Sequence, residues 1–421
     1  MTIRSENEIF IFQKIPSALI VLLPVLLITG PFLSDLAVSI ISLIFIFFVI
    51  KFKKYDLLNN LFSKIFIIFW IYILFNSLVI NFSLTSLKVS FFYFRFLFFV
   101  LFFSYLLSCD QNLLKKLFYS FVFSFILLIF DGYFQYFFGH NIVGYKLAEG
   151  PRVSSFFGDE LILGSYLSRL FPIFFGLTIF LYKREKKKIF LISSLFILIE
   201  GLIFISGERT AFFYVNLSAL FIIIFINEFK LLRIVTLFLS FLLIIGIINF
   251  NDTAKKRVVD LTLDQMGISD NAKKKYIFSE EHQDQYFTAL NMFKDKPIFG
   301  AGIKKFRVEC SKDEYKSGYY PCSSHPHNIY IQLLSETGII GFIIPFSLFI
   351  FICIRLLKHF IYQIKKKIYY SDLQICLLSS IFITLWPIAP NGNMFNNWLS
   401  IIYYLPVGIY LWTNIYENKK N

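Results

Sequence analysis

The 421-residue chain predicts an all-α fold: a polytopic transmembrane bundle of about twelve helices with one large loop domain between the ninth and tenth. Three observations lead there. Hydrophobic residues make up 57% of the chain and mean hydropathy is +0.68, more than a soluble core uses. The apolar residues fall in runs of about 20, the length that crosses a hydrocarbon core as a helix. Lipid satisfies no backbone N–H or C=O, so only helices and closed barrels span it, and these runs lack the ten-residue alternation of barrel strands.

In chain order the apolar runs lie at 15–33, 36–50, 62–80, 88–107, 113–138, 158–182, 189–206, 210–227, 231–250, 331–354, 372–389 and 397–413. Met1 to Lys14 carries four charged residues, and no small-residue cleavage site follows Ile15 to Ile28, so the first run is expected to stay as a helix. Gly30-Pro31 and Ser34-Asp35 separate it from a short second run; Ser206-Gly207-Glu208-Arg209 separates the seventh from the eighth. The expected organisation is an N-terminal bundle of about nine helices at 1–250, a large loop at 251–330 and about three helices at 331–421. No fixed-period repeat points to a solenoid or an inverted-repeat transporter.

The formal net charge of +14 raises nucleic acid as a partner, but the basic residues cluster in alternate connections between apolar runs. Lys51, Lys53, Lys54 and Lys64 follow the second run; Lys115 and Lys116 the fourth; Lys183 to Lys188 the sixth; Lys230 and Arg233 the eighth; Arg355, Lys358 and Lys365 to Lys367 the tenth. That is the mark of cytoplasmic loops, so the charge is topological, no nucleic-acid partner is expected, and both termini are cytoplasmic. The loops at 139–157 and 251–330 then face outward. Within the longer one, Gln283 to Phe293 has the pattern of an amphipathic helix, followed by the turn-rich Lys296-Pro297-Ile298-Phe299-Gly300-Ala301-Gly302. Cys310 and Cys322 enclose eleven residues there, a loop a disulfide closes easily in an oxidising compartment.

Chemistry-bearing residues gather on the same face. Ser324-His325-Pro326-His327-Asn328 stands immediately before the tenth helix. Imidazole titrates near neutrality and can take a proton from a hydroxyl where water is limited, so His327 is a candidate general base; both histidines equally suit an interfacial Pro-containing turn. Arg209 sits in the outer hairpin and Arg152 in the 139–157 loop. Arg95 and Arg169 lie inside apolar runs, where a charge costs roughly 2.5–3.5 kcal/mol near the bilayer centre. Two readings stay open for the arginines: ion pairing that fixes helix packing, with Asp131 one candidate partner, or convergence on a phosphate-bearing ligand, which the guanidinium fork suits. A zinc site from His325, His327, Cys310 and Cys322 is disfavoured, because zinc modules space ligand pairs two to four residues apart and these cysteines are twelve apart. No Walker loop, nucleophile elbow or dinucleotide fingerprint occurs in a supporting context, so neither ATP-driven work nor a cofactor is expected.

Together these segments resemble the O-antigen ligase and polymerase superfamily. His327 followed by ten residues and Gly338 is similar to the ligase His-x10-Gly signature. Gly207-Glu208-Arg209-Thr210-Ala211 is similar to the family's small-x-Arg-small-Ala turn. Arg152-Val153-Ser154-Ser155-Phe156-Phe157-Gly158 looks like its Arg-x-x-Gly-x-Phe stretch, and residues 297–302 like its Pro-x-x-Gly-x-Gly segment. The likeness covers about 150 to 345. Where many members carry Pro-Asn after the arginine stretch, this chain has Asp159-Glu160.

The resemblance implies a GT-C-like membrane enzyme with its large loop in the periplasm. Its activity would be metal-independent, inverting transfer of a glycan from a polyprenyl-pyrophosphate carrier, with membrane lipids around it and no cofactor. In a ligase the acceptor is a hydroxyl of lipid A–core; in a polymerase it is another lipid-linked glycan. His327 would activate the acceptor and Arg209 and Arg152 would hold the pyrophosphate, with His325, Arg169 and Arg95 completing the pocket. A lipid-linked glycan transporter, the alternative from another class, would have less use for a large outer domain ending in a histidine motif.

Overall fold

The computed structural model describes residues 3–226, 228–265 and 278–418. The chain runs α1 (Ile3–Ile28), α2 (Pro31–Phe52), α3 (Leu61–Phe75), α4 (Leu84–Phe92), α5 (Arg95–Cys109), α6 (Asn112–Phe138), α7 (Leu163–Tyr182), α8 (Lys186–Ile205), α9 (Arg209–Phe225) and α10 (Lys230–Phe250). The short α11 (Asp252–Lys255) and α12 (Leu261–Gln265) follow, then α13 (Glu280–Asp295), α14 (Phe306–Glu309), α15 (Ile329–Ile364), α16 (Asp372–Thr384) and α17 (Asn397–Asn418). Among the described residues there is no strand, only two isolated β-bridges in the 139–157 loop. Among the described residues eight helical segments are long and apolar enough to cross a membrane, two of them, Leu61–Ile80 and Leu84–Cys109, joining consecutive elements, and Phe12–Ile28, Arg209–Phe225 and Asp372–Thr384 are shorter apolar helices. The chain is a multi-pass helical membrane protein.

Each apolar run of the sequence falls on a helix, with three departures. The fourth is split at Tyr93-Phe94, because the Trp70 indole donates to the carbonyls of Ser90 (3.0 Å) and Phe91 (3.3 Å) just where the ladder would continue. The tenth extends to Ile364, so Arg355 and Lys358 belong to the helix and not to a loop; Lys366, at φ 56°, follows its end. The eleventh stops at Thr384 because Pro387 and Pro390 follow, and the Asn391 carboxamide donates to the Thr384 carbonyl at 2.7 Å, taking up an orphan acceptor of the last turn.

Helix α7 is the buried centre, packed on α16, α9 and α8, with Phe174 in ring contact with Phe118 and Phe125 of α6. Gly176 lets α7 approach α16: a Cβ there would lie 2.6 Å from that of Cys376. Outside the bundle, α13 packs on α15 over a second small core of Ala289, Met292, Ala301, Phe306, Cys310 and Tyr315. Cys310 and Cys322 form a disulfide at its rim, with Cα atoms 5.2 Å apart.

Segment 297–302 threads through a break in α15. Gly338 sits at φ 65°, ψ −170°, a conformation open essentially to glycine alone, and the Ile339 N–H freed by the break donates to the Pro297 carbonyl at 2.9 Å. One turn earlier the Ser335 and Glu336 carbonyls accept from the Ala301 (2.8 Å) and Gly302 (2.9 Å) amides. The backbones are so close that a Cβ on Gly300 would stand 2.5 Å from the Thr337 nitrogen. From the N-terminal half, Tyr72 donates to the Thr337 carbonyl, Asn76 to that of Phe299 (2.6 Å) and Asn81 to that of Gly300 (3.1 Å). The early helices therefore brace the glycine motifs, a role that their hydrophobic sequence hides.

Candidate active site

The site begins at the hairpin between α8 and α9. Gly207 turns the chain at φ 68°, and the Arg152 and Arg257 side chains pass on either side of it: a Cβ on Gly207 would lie 3.3 Å from each Nε. Arg152 donates to the Ser206 carbonyl (2.9 Å) and Arg257 to that of Gly207 (3.2 Å). Arg209 opens α9 and donates to Gln265 of α12 at 2.7 Å. Three guanidinium groups thus gather around one turn. One counter-charge is Glu208, whose carboxylate accepts from the Gly164 (2.6 Å) and Ser165 (3.0 Å) amides and so caps the N-terminus of α7. Burial lowers Arg152 to about 10, with the charges of Arg257 and Arg209 adding to the shift, and burial raises Glu208 to about 7 despite the nearby arginines. Glu149 acts on Arg152 and Glu281 on Arg209 as further counter-charges, so three guanidinium groups stand close together in a mixed-charge cluster.

The histidines lie on the adjoining edge. Asn328 caps α15, accepting from the Tyr330 and Ile331 amides, and His327 before it adopts φ 53°. That left-handed conformation is uncommon for a residue with a Cβ, and two hydrogen bonds to its carbonyl hold it: the Asn391 amide at 2.6 Å and the Tyr286 hydroxyl at 3.4 Å. Nε2 of His327 pairs with the Ser323 hydroxyl at 3.1 Å. The His325 ring lies 4.1 Å from that of His327; its Nε2 faces the Asn391 carbonyl (3.3 Å) and its Nδ1 the Ser324 hydroxyl (2.9 Å). Since a carbonyl only accepts, His325 carries its proton on Nε2, with Nδ1 left to accept from Ser324. A third imidazole, His282 of α13, stands 5.0 Å from His327. Burial drives His325 down to about 3 and His282 to about 4 and also lowers His327, so all three are neutral at pH 7.

Asn391 joins the buried arginine to this edge. Its carboxamide oxygen accepts from Arg169 at 2.7 Å and from the Tyr403 hydroxyl at 3.1 Å, while its backbone holds His325 and His327. Arg169 also donates to Ser165 (2.6 Å) and lies over the Tyr214 ring, 4.7 Å from its centroid. The structure thus brings Arg152 and Arg209 to one turn and Arg169, His325 and His327 to one asparagine. Arg95 stands apart from both groups. It pairs with Asp35 at 2.7 Å and donates to the Phe92 carbonyl, and Asn397 holds the other Asp35 oxygen, so its charge is already compensated between helices. Asp131, the candidate partner from sequence, instead accepts from the Ser155 hydroxyl and the Ile142 amide and shapes the 139–157 loop. With both sulfurs bonded to each other, Cys310 and Cys322 are lost to the zinc alternative.

Arg257, His282, Tyr286 and Asn391 had no role from sequence. Arg257 does carry a signal, since Lys255-Lys256-Arg257 is a basic run at the start of the long loop expected to face outward. Asn391 lies in Pro390-Asn391-Gly392-Asn393, a turn signature between the eleventh and twelfth apolar runs.

No curated protein matches the chain. A family model described as O-antigen ligase matches residues 193–346, a span that holds Arg209, Arg257, His282, the disulfide and both motif histidines and leaves Arg95, Arg152, Arg169 and Asn391 outside it. Over that span, which is less than half of the 421-residue chain, the chain is similar to the O-antigen ligase family.

Proposed function

We propose that the protein transfers a glycan from a polyprenyl-pyrophosphate carrier to an acceptor hydroxyl on the periplasmic face of the bacterial inner membrane, by metal-independent inverting transfer. The acceptor is lipid A–core, making the reaction O-antigen ligation. The observation that carries the proposal is the meeting of a partly buried arginine cluster, Arg152, Arg209 and Arg257, with a neutral imidazole edge at His327, joined through His282, on which Arg209 acts. A diphosphate is the anion such a cluster suits, and charge grows on it as the C1–O bond breaks. If Ser323 accepts from Nε2–H of His327, the Nδ1 lone pair is free for the acceptor proton. Arg169 and His325 hold the wall between the two groups through Asn391.

The proposed topology is a twelve-crossing bundle, both termini cytoplasmic, with 251–330 as a periplasmic domain. The His-x10-Gly signature favours ligation over polymerisation of lipid-linked repeats. In a strain lacking the gene, lipid A–core without attached glycan is the expected ladder; a single attached repeat would make the protein a polymerase. His327→Ala and Arg209→Ala should each fail to restore the ladder while accumulating in the membrane. Restoration by both would remove the proposed machinery.

A further inference from the structure

His282 is the one imidazole of the cluster without a place in the reaction as proposed, yet it adjoins both groups of residues. Its ring is 5.0 Å from that of His327. It also lies within the electrostatic reach of Arg209, proposed above to hold the diphosphate. Helix α13 fixes it from below: Ser279 caps the helix by accepting from the His282 amide (3.3 Å), and its hydroxyl pairs with His282 Nδ1 at 2.8 Å. That contact leaves Nε2 for any other partner. One turn on, Tyr286 lies parallel to the His282 ring and donates to the His327 carbonyl, so a single helix sets both imidazoles. His325 cannot serve in this way, because both its nitrogens are engaged by Asn391 and Ser324.

We infer that His282 carries the acceptor proton from His327 to the departing diphosphate, an inference that rests on the transfer reaction proposed above. The step balances. The acceptor hydroxyl gives its proton to His327 Nδ1 as its oxygen bonds to the sugar C1. The C1–O bond to phosphate breaks, its electron pair staying on the phosphate oxygen beside Arg209. The proton then passes from His327 to His282 Nε2 and on to that oxygen, directly or through one water, so the product leaves as a protonated diphosphate and both imidazoles return neutral. Burial favours such a carrier, since neither ring holds the proton for long. The groups facing His282 are His327, His325, Tyr286 and Arg209, with Glu281 acting on Arg209.

The test uses full-length protein in lipid nanodiscs, with lipid-linked glycan and lipid A–core extracted from a strain lacking the gene. His282→Ala should lower kcat by at least about 10-fold, within what acid–base groups contribute, and leave KM for the lipid-linked glycan within about 2-fold. Added imidazole should restore the rate, and rescue should follow the neutral form of imidazole with pH. His282→Gln, which keeps a hydrogen-bonding amide but carries no proton, should be as slow. A fully active His282→Gln, a change confined to KM, or an alanine variant indifferent to imidazole would overturn the inference. So would failure of both variants to accumulate in the membrane, which would make His282 a packing residue. If the unmodified protein transfers nothing while hydrolysis and binding assays confirm intact substrates, it is the transfer reaction itself that fails.

Discussion

Gly338→Ala tests whether the His-x10-Gly spacing is a backbone device. The residue sits at φ 65°, ψ −170°, where an L side chain costs roughly 1–3 kcal/mol before any contact is considered. A Cβ there would also run into the Ile298 carbonyl, which is backbone and cannot rotate away. Moving apart to relieve it sacrifices the Ile339-to-Pro297 hydrogen bond and strains those of Ala301 and Gly302, each worth about 1 kcal/mol. The expected loss is therefore about 3–5 kcal/mol, concentrated where 297–302 threads α15. Because α15 begins at the histidine motif, the break should loosen His327 before it unfolds the bundle. Thermal aggregation of purified protein should begin at lower temperature, and transfer should fall at temperatures where the protein is still folded. Gly246→Ala is the matched control: it lies inside α10 with nothing within 4 Å of its Cβ position, so alanine should be neutral or stabilise by about 0.5–1 kcal/mol. Equal melting and equal activity for the two variants would refute the threading argument.

Three other outcomes follow from the same geometry. Arg257→Ala should reduce transfer at least as strongly as Arg152→Ala, and Arg257→Lys should recover little, as a bidentate fork is not replaced by an ammonium; full activity of Arg257→Ala in a complementation assay removes it from the pocket. Cys310 and Cys322 should resist thiol alkylation until reduced, and labelling of both without reductant would contradict the disulfide and the outward face of the loop. Acid should destabilise the outer domain: His282 falls from 6.5 to about 4 in the fold, so below pH 6.5 the unfolded chain binds a proton the native state does not. Stability from this group is complete above about 6.5 and is lost at roughly 1.4 kcal/mol per pH unit down to about 4. His282→Asn should flatten that slope in pH-dependent thermal melts, and an unchanged slope would show that His282 is not buried as described.

The bundle was legible because spanning helices obey one strong rule, and each apolar run falls on a helix. Helix ends were less so, since they depend on partners distant in sequence: no local pattern says that Trp70 takes the carbonyls of Ser90 and Phe91 and splits a run in two. The motif residues Arg152, Arg209, His325 and His327 could be found because their chemistry is unusual beside lipid. Asn391 could not, because its importance lies in five hydrogen bonds reaching four other segments, and a carboxamide in a Pro-Gly turn looks like any other. Arg95 misled for the converse reason. A buried arginine announces a partner without saying which, and here it is Asp35, sixty residues away in sequence.

The arginine cluster also bears on what the proposed diphosphate would meet there. The Nε atoms of Arg152 and Arg257 each lie 3.3 Å from the same point above Gly207, so they are no more than about 6.6 Å apart. At an effective dielectric of about 20, two unit charges at that distance repel by roughly 2.5 kcal/mol, and Arg209 adds to it. Glu208, Glu149 and Glu281 offset part of it, although the Glu208 carboxylate also serves two amides of α7 and burial raises it to about 7. Proteins do not keep such an arrangement for packing, where replacing the charges with apolar groups is commonly neutral or better. In the proposed reaction a diphosphate, whose charge rises as the glycosidic bond breaks, would turn that repulsion into attraction that is largest in the transition state. The binding energy would then be realised at the step where it accelerates the reaction.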